Sequence, residues 1–333
     1  MIRSRFQQNI VSGRFTLPAV IVFSALVWIM AWGSKPDGIP SALYPFWQRL
    51  LGWLPANFIG EIINFLVYGL AAYLLIELNN AYSLIRIRTS FQCSVFVLLV
   101  TACPFLFPLQ TGGLAALCFL LAVYFLFRTY QKPEPVGHMF QAFLFIGIGT
   151  ILFPGMLLYI PLFFIGAFNF KSLGFRTFFA GILGLTLPYW FLFGHAYFYN
   201  RMELFYEPFL QLAFLFPADY SRIDLSQIMP GLLAVLLFIV ATVHFWATGY
   251  KDKIRTRSYL NFWVLVTVWT ILYCCLQPQY LGSLYPVMLV GSSILGGHLF
   301  VVTSNRLSNL FFIVYFVILL GLTGYNLWMI SYN

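Results

Sequence analysis

Apolar runs recur along the whole chain, most of them near the ~20 residues a helix needs to cross a hydrocarbon core, and short polar stretches separate them. Nine are uninterrupted: Phe15–Gly33, Phe58–Leu78, Ser90–Phe107, Gly112–Phe127, Thr177–Tyr197, Ile228–Gly249, Tyr259–Leu276, Leu281–Val302 and Leu307–Ile330. The tenth, Met139–Phe170, holds 32 residues without an ionisable side chain and is broken near its centre by Pro154-Gly155. Arg128 and Lys132 precede it, and Lys171 and Arg176 follow it. A single crossing would place these basic ends on opposite faces, against the positive-inside bias. Half the run makes about 24 Å of helix, short of a ~30 Å core, so the pattern predicts two short helices that turn back at the proline. The count is then eleven spans with a cytoplasmic N-terminus, Arg3, Arg5 and Arg14 preceding a retained signal anchor.

Composition agrees with the pattern. The chain is 61% hydrophobic, 20% aromatic and 8% charged, with a mean hydropathy of +0.87, well outside the globular range. The fold class expected is all-α, a polytopic transmembrane helical bundle forming a single integral membrane domain over 1–333. Its parts would be a core at 1–198, an external loop at 199–227 and a C-terminal helical sub-bundle at 228–333. The net charge of +9 changes meaning once it is sorted by side. In this topology 14 of the 18 Lys and Arg are cytoplasmic, all but Lys35, Arg49, Arg201 and Arg222. Such a distribution sets orientation and attracts anionic membrane lipids, and it argues against a nucleic-acid groove. The five cysteines lie in or at the ends of apolar spans, which predicts neither a disulfide framework nor a metal site.

Candidate chemistry concentrates outside. No ionisable residue falls at mid-span, which disfavours a proton-coupled carrier and leaves small-molecule or lipid transport as a third reading. Six of the nine acids (Asp37, Glu61, Glu203, Glu207, Asp219 and Asp224) are external. A cleft they line can hold a divalent cation against a lipid-linked phosphate, or offer a general base to an acceptor hydroxyl. The plainer reading pairs them with Lys35, Arg49, Arg201 and Arg222 on solvated loops. Glu61 stands apart: it lies one turn inside its span with Asn64 on the same side, and burial there requires a partner. In the first external loop Tyr44, Trp47, Leu51 and Leu54 recur at helical spacing, as in a helix lying at the headgroups. The Phe198–Gln227 loop is apolar enough for part of it to dip into the interface. The histidines His138, His195, His244 and His298 lack metal-ligand spacing and read as isolated interfacial residues. Gly181, Gly184, Gly296 and Gly297 read as close helix contacts.

The stretch from Phe143 to Pro161 (FLFIGIGTILFPGMLLYIP), followed by Arg176 to Pro188 (RTFFAGILGLTLP), resembles the hairpin region of the GT-C class of polyprenyl-phosphate-sugar glycosyltransferases. Through Leu78-Asn79-Asn80 and the same hairpin, the chain also resembles a group of bacterial polytopic inner-membrane proteins of similar size. The resemblance covers roughly Phe58 to Pro188 and implies a GT-C-like arrangement of the first seven spans. It implies transfer of sugar from a polyprenyl-phosphate donor on the external face. The catalytic acid would be Asp37 or Glu61, with Arg49, Arg201, Glu203, Glu207 and Arg222 around the substrate. This first loop carries no adjacent pair of acids, which keeps open the alternative of a non-catalytic membrane subunit or scaffold with a membrane-protein partner.

Overall fold

The computed structural model describes residues 5–32, 58–87, 89–213, 220 and 223–332. These form thirteen α-helices joined by turns and short 3-10 segments, with no strand among the described residues. In chain order the helices are α1 (Arg5–Val11), α2 (Thr16–Ala31), α3 (Phe58–Tyr82), α4 (Phe91–Thr101), α5 (Thr111–Phe127), α6 (Val136–Leu152) and α7 (Ile160–Asn169). They continue as α8 (Phe175–Phe198), α9 (Glu203–Ala213), α10 (Leu225–Thr248), α11 (Ile254–Leu276), α12 (Leu281–Val302) and α13 (Arg306–Tyr332). Six of them (α3, α8, α10, α11, α12 and α13) are long and apolar enough to cross a membrane. Shorter apolar helices fill the rest: α2, α4, α5, α6 and the Pro154–Asn169 segment. The molecule is a helical membrane bundle. Helices apolar on every side suit either a buried core or a lipid surface, and here they provide both.

The centre is α12, buried along nearly its whole length. It packs against α4, α5, α10 and α11. Its small residues make that possible: a Cβ on Gly291 would collide with Thr267 of α11, one on Gly296 with Leu237 of α10, and one on Gly297 with the Gln92 backbone of α4. Small residues let apolar helices approach closely where lipid gives no hydrophobic push. Outward, α2, α8, α10 and α13 expose Met30, Phe191, Leu232, Val317 and other large apolar side chains.

Where the prediction and the structure differ, the reason is local. The span expected to reach Phe107 ends at Thr101, because Pro104 forces Cys103 out of helical geometry (φ −115°, ψ 76°) and a 3-10 turn, Pro104–Leu106, follows. The basic stretch Ile254 to Arg257, expected as loop, forms the first turn of α11. The helix predicted over Tyr44 to Leu54 lies outside the described residues.

The short hairpin closes as the pattern predicts. Helix α6 stops at Leu152, Phe153 is extended, Pro154–Tyr159 is a 3-10 turn, and α7 returns. The Gln131 amide donates to the Phe170 carbonyl at 2.9 Å, and Thr129 and Ser172 hydroxyls meet at 2.9 Å. Both basic flanks therefore lie at one end of the bundle. Other basic segments join them there: Thr89 donates to the Val11 carbonyl, Thr256 to that of Ser83, and Gln7 to those of Phe300 and Thr303. At the opposite end Asn64 donates to the carbonyls of Leu106, Phe107 and Pro108, and Asn326 to those of Ala102 and Ser226.

Helix α8 locks the hairpin by backbone contact, since a Cβ on Gly184 would collide with the Phe140 carbonyl of α6. Gly184→Leu is expected to destabilise the protein by about 2 kcal/mol through overpacking. Gly194→Leu, where a Cβ meets nothing within 4 Å, should leave it unchanged. Thermal unfolding of the two purified variants in detergent makes the comparison.

Candidate functional site

Helices α2 and α3 both pack on α4, while side chains rather than backbones bridge the space between them. Trp28 stacks on Phe107 (4.2 Å between centroids) and meets Phe65 edge-on at 5.2 Å. The space on either side of this bridge forms two cavities of about 250 and 290 Å³ that share Trp28 and Phe65 as walls. One runs from Leu17 and Ile76 past Gly69, floored by Cys93, Val97 and Val100 of α4. The other ends at Trp32 and Glu61. Together they make an apolar groove along α2, about 22 Å from Leu17 to Trp32 at 1.5 Å per residue.

Glu61 is half-buried at the groove's end. Among the described residues, no hydrogen-bond or ion-pair partner meets it. Asn64, expected beside it, is fully buried and committed to the carbonyls of the Leu106–Pro108 turn. A divalent cation would find one carboxylate here among the described residues, and no three His, Cys, Asp or Glu side chains of that set come together. Asp37, Arg49, Asp219 and Arg222 lie outside the described residues.

Arg201 and Glu203 are exposed at the start of α9, lining an open hollow with Asn200 and Met202, and Glu207 is half-buried one turn on. Helix α9 folds back along α8, with Phe205 against Phe193 and Phe209 against Tyr189. It rests on the Pro154–Tyr159 turn of the hairpin. This is the apolar part of the loop predicted to dip into the interface, and it packs on the bundle because the hairpin is short and leaves room above its turn. Among the described residues the groove by Glu61 is lined by α2 with Trp32, α3 and α4, so the described acids occupy two separate places rather than one shared cleft.

A third cluster escaped the sequence reading. Asp252, between α10 and α11, and His298, on α12, have side chains only 1% exposed. Arg86, from the turn after α3, donates its Nε–H to Asp252 Oδ1 at 2.6 Å. His298 Nε2 sits 3.3 Å from Asp252 Oδ2, close enough for charge attraction but off the line of a hydrogen bond. Asn79 shapes the Arg86 turn, accepting from the Ile85 amide and donating to the Ile87 and Thr89 carbonyls. His298 thus departs from the expected isolated interfacial histidine. The available signal was Asp252 itself, a lone acid among Lys251, Lys253, Arg255 and Arg257.

Compared with protein-family models, with curated proteins and with solved structures, the chain matches none of them.

Burial acts to raise the Asp252 carboxyl, and the facing His298 ring and Arg86 guanidinium more than reverse this, holding it at about 2 against an ordinary 3.8. A carboxyl whose folded pKa is depressed stabilises fully above its unfolded value and loses that contribution as pH falls through the folded one. The loss therefore falls between about pH 4 and pH 2 and is on the order of 2 kcal/mol. Asp252→Asn should lower the melting temperature at neutral pH and flatten the acid limb of the stability curve. Melting at a series of pH values reads both effects.

Proposed function

We propose that the chain is a multi-pass protein of a bacterial inner membrane, crossing it eleven times with the basic end in the cytosol. In this reading its first seven crossings form a GT-C-like core that transfers sugar from a polyprenyl-phosphate donor on the external side. The observation that supports it is the α2–α3 groove: an apolar track of hydrocarbon-chain dimensions that ends, on the bundle end opposite the basic loops, at a carboxylate with no partner among the described residues. An isoprenoid chain lies against Trp28, Phe65 and Gly69, which brings its phosphate-linked sugar toward Glu61 and, in this reading, toward the first external loop expected from the sequence.

Glu61, or Asp37 from that loop, then takes the proton of an acceptor hydroxyl. The hydroxyl oxygen bonds to the anomeric carbon as the carbon–oxygen bond to phosphate breaks, and polyprenyl phosphate leaves with the electron pair. Arg49 and Arg222 would counter the phosphate charge, and Arg201, Glu203 and Glu207 would meet the acceptor side. A second reading, a non-catalytic membrane subunit or scaffold, is favoured by the single carboxylate that the described residues place at the groove.

Vesicles loaded with a polyprenyl-phosphate sugar separate the two. Gly69→Trp fills the groove where a Cβ meets nothing within 4 Å, and it should abolish donor binding in a folded protein. Glu61→Gln should keep donor binding while transfer falls by about a hundredfold or more, the usual share of a general base. Transfer by Glu61→Gln at the wild-type rate would remove Glu61 from the chemistry, and donor binding by Gly69→Trp would remove the groove.

Sidedness is tested independently in a cysteine-free background. A cysteine at Asn200 should react with an impermeant maleimide in intact cells, and one at Lys253 only after permeabilisation. The reverse pattern would invert the topology.

A further inference from the structure

At the basic end, two arginines are held in place with no acidic partner among the described residues. Arg255, exposed in the first turn of α11, lies over three tyrosine rings: Tyr259 at 5.4 Å, Tyr130 at 5.7 Å and Tyr82 at 5.9 Å from the centroids. Its Nε–H donates to the Tyr259 hydroxyl at 2.8 Å. Arg128, exposed just after α5, lies 4.8 Å over the Tyr124 ring and donates from Nη2 to that hydroxyl at 2.9 Å.

The tyrosines are themselves fixed. The Tyr259 hydroxyl donates to the Phe127 carbonyl at 2.9 Å and the Tyr82 hydroxyl to that of Tyr124 at 2.6 Å. Each has thereby committed its proton to the last turn of α5, leaving lone pairs for the guanidinium groups. Tyr82 links the two arginines: its ring lies under Arg255 and packs edge-on against the Tyr124 ring that holds Arg128, with centroids 5.5 Å apart. Two forks thus flank one pair of rings. Among the described residues the ion pairs elsewhere use Arg86 and Arg176, and no carboxylate meets Arg128 or Arg255.

Cations stacked on rings and oriented through one nitrogen keep their remaining N–H groups for an oxyanion, and a planar fork matches phosphate. The place decides which phosphate. The pair sits where α3, α5 and α11 emerge at the basic end, and basic pockets between helices at that depth take lipid head groups.

We propose that Arg128 and Arg255, set by Tyr82, Tyr124, Tyr130 and Tyr259, bind the phosphodiester of one anionic phospholipid at the basic end of the bundle. This site is at the opposite end from Glu61 and does not depend on sugar transfer.

The test places the protein in vesicles of equal parts phosphatidylglycerol and phosphatidylcholine. Lipids that stay bound after release into detergent are then counted by native mass spectrometry. Wild type should retain phosphatidylglycerol over phosphatidylcholine. At about 1 kcal/mol per arginine, Arg128→Gln or Arg255→Gln should lower that preference about fivefold and the double variant about thirtyfold. Arg128→Lys with Arg255→Lys keeps the charge but not the fork, and should stay closer to the glutamine double variant than to wild type.

Lys253→Gln with Arg306→Gln removes two other exposed charges of the same end and should retain the preference. If this control falls as far as the arginine variants, or if the lysine variants match wild type, the effect is diffuse charge and the site is refuted. Release of the lipid by inorganic phosphate alone would make it a soluble-anion site and overturn the lipid assignment.

Discussion

The bundle depends on a central helix with almost no bulk on the faces that matter. Between apolar helices in lipid, hydrophobic burial gives little reason to associate, so packing contacts and internal hydrogen bonds must do it. Glycines at 291, 296 and 297 of α12 let α11, α10 and α4 approach one after another around the same cylinder. Ser283 adds a hydroxyl contact to Thr111 of α5 at 2.9 Å. Other hydroxyls at this contact bond back to carbonyls of their own helices, Thr267 to that of Trp263 and Ser293 to that of Val290, so they need no water in a hydrocarbon surround. Everything farther out, including the spread of α2 and α3 over α4, takes its position from this arrangement.

The short hairpin is the second determinant. Because α6 and α7 stop early, their turn leaves a recess at the end opposite the basic loops, and α9 folds back along α8 to occupy it. The same shortness returns Phe170 to the level of Gln131 and so keeps Lys171 and Arg176 with the other basic segments. One feature of length thus governs both the charge asymmetry of the molecule and the seating of α9 on the hairpin turn.

Much of this was legible in the sequence, because apolar run length and the position of charges are one-dimensional properties. The turn at Pro154, the close contacts at Gly184 and Gly296, and the bounds of α12 could all be read directly. Helix ends were less legible where a proline acts on its predecessor, as Pro104 does on Cys103, or where arginines extend a helix, as at Arg255. The site was read worst. Asp252 and His298 come together across 46 positions of sequence, and nothing in local spacing announces a pairing made by the fold. The groove beside Glu61 was equally hidden, since an empty volume between two apolar helices has no residue signature.

The hairpin also constrains how the chain is made. Helix α7 has ten residues, about 15 Å of length at 1.5 Å per residue, too little to settle alone in a bilayer as it leaves the ribosome. Beyond its own turn it packs on α5, already made, and on α11, which is synthesised much later, with Gly166 set against Phe262 and Leu126. The insertion machinery therefore has to hold α7 beside α5 until α11 emerges, so the order of synthesis runs against the order of stability at this one place in the chain.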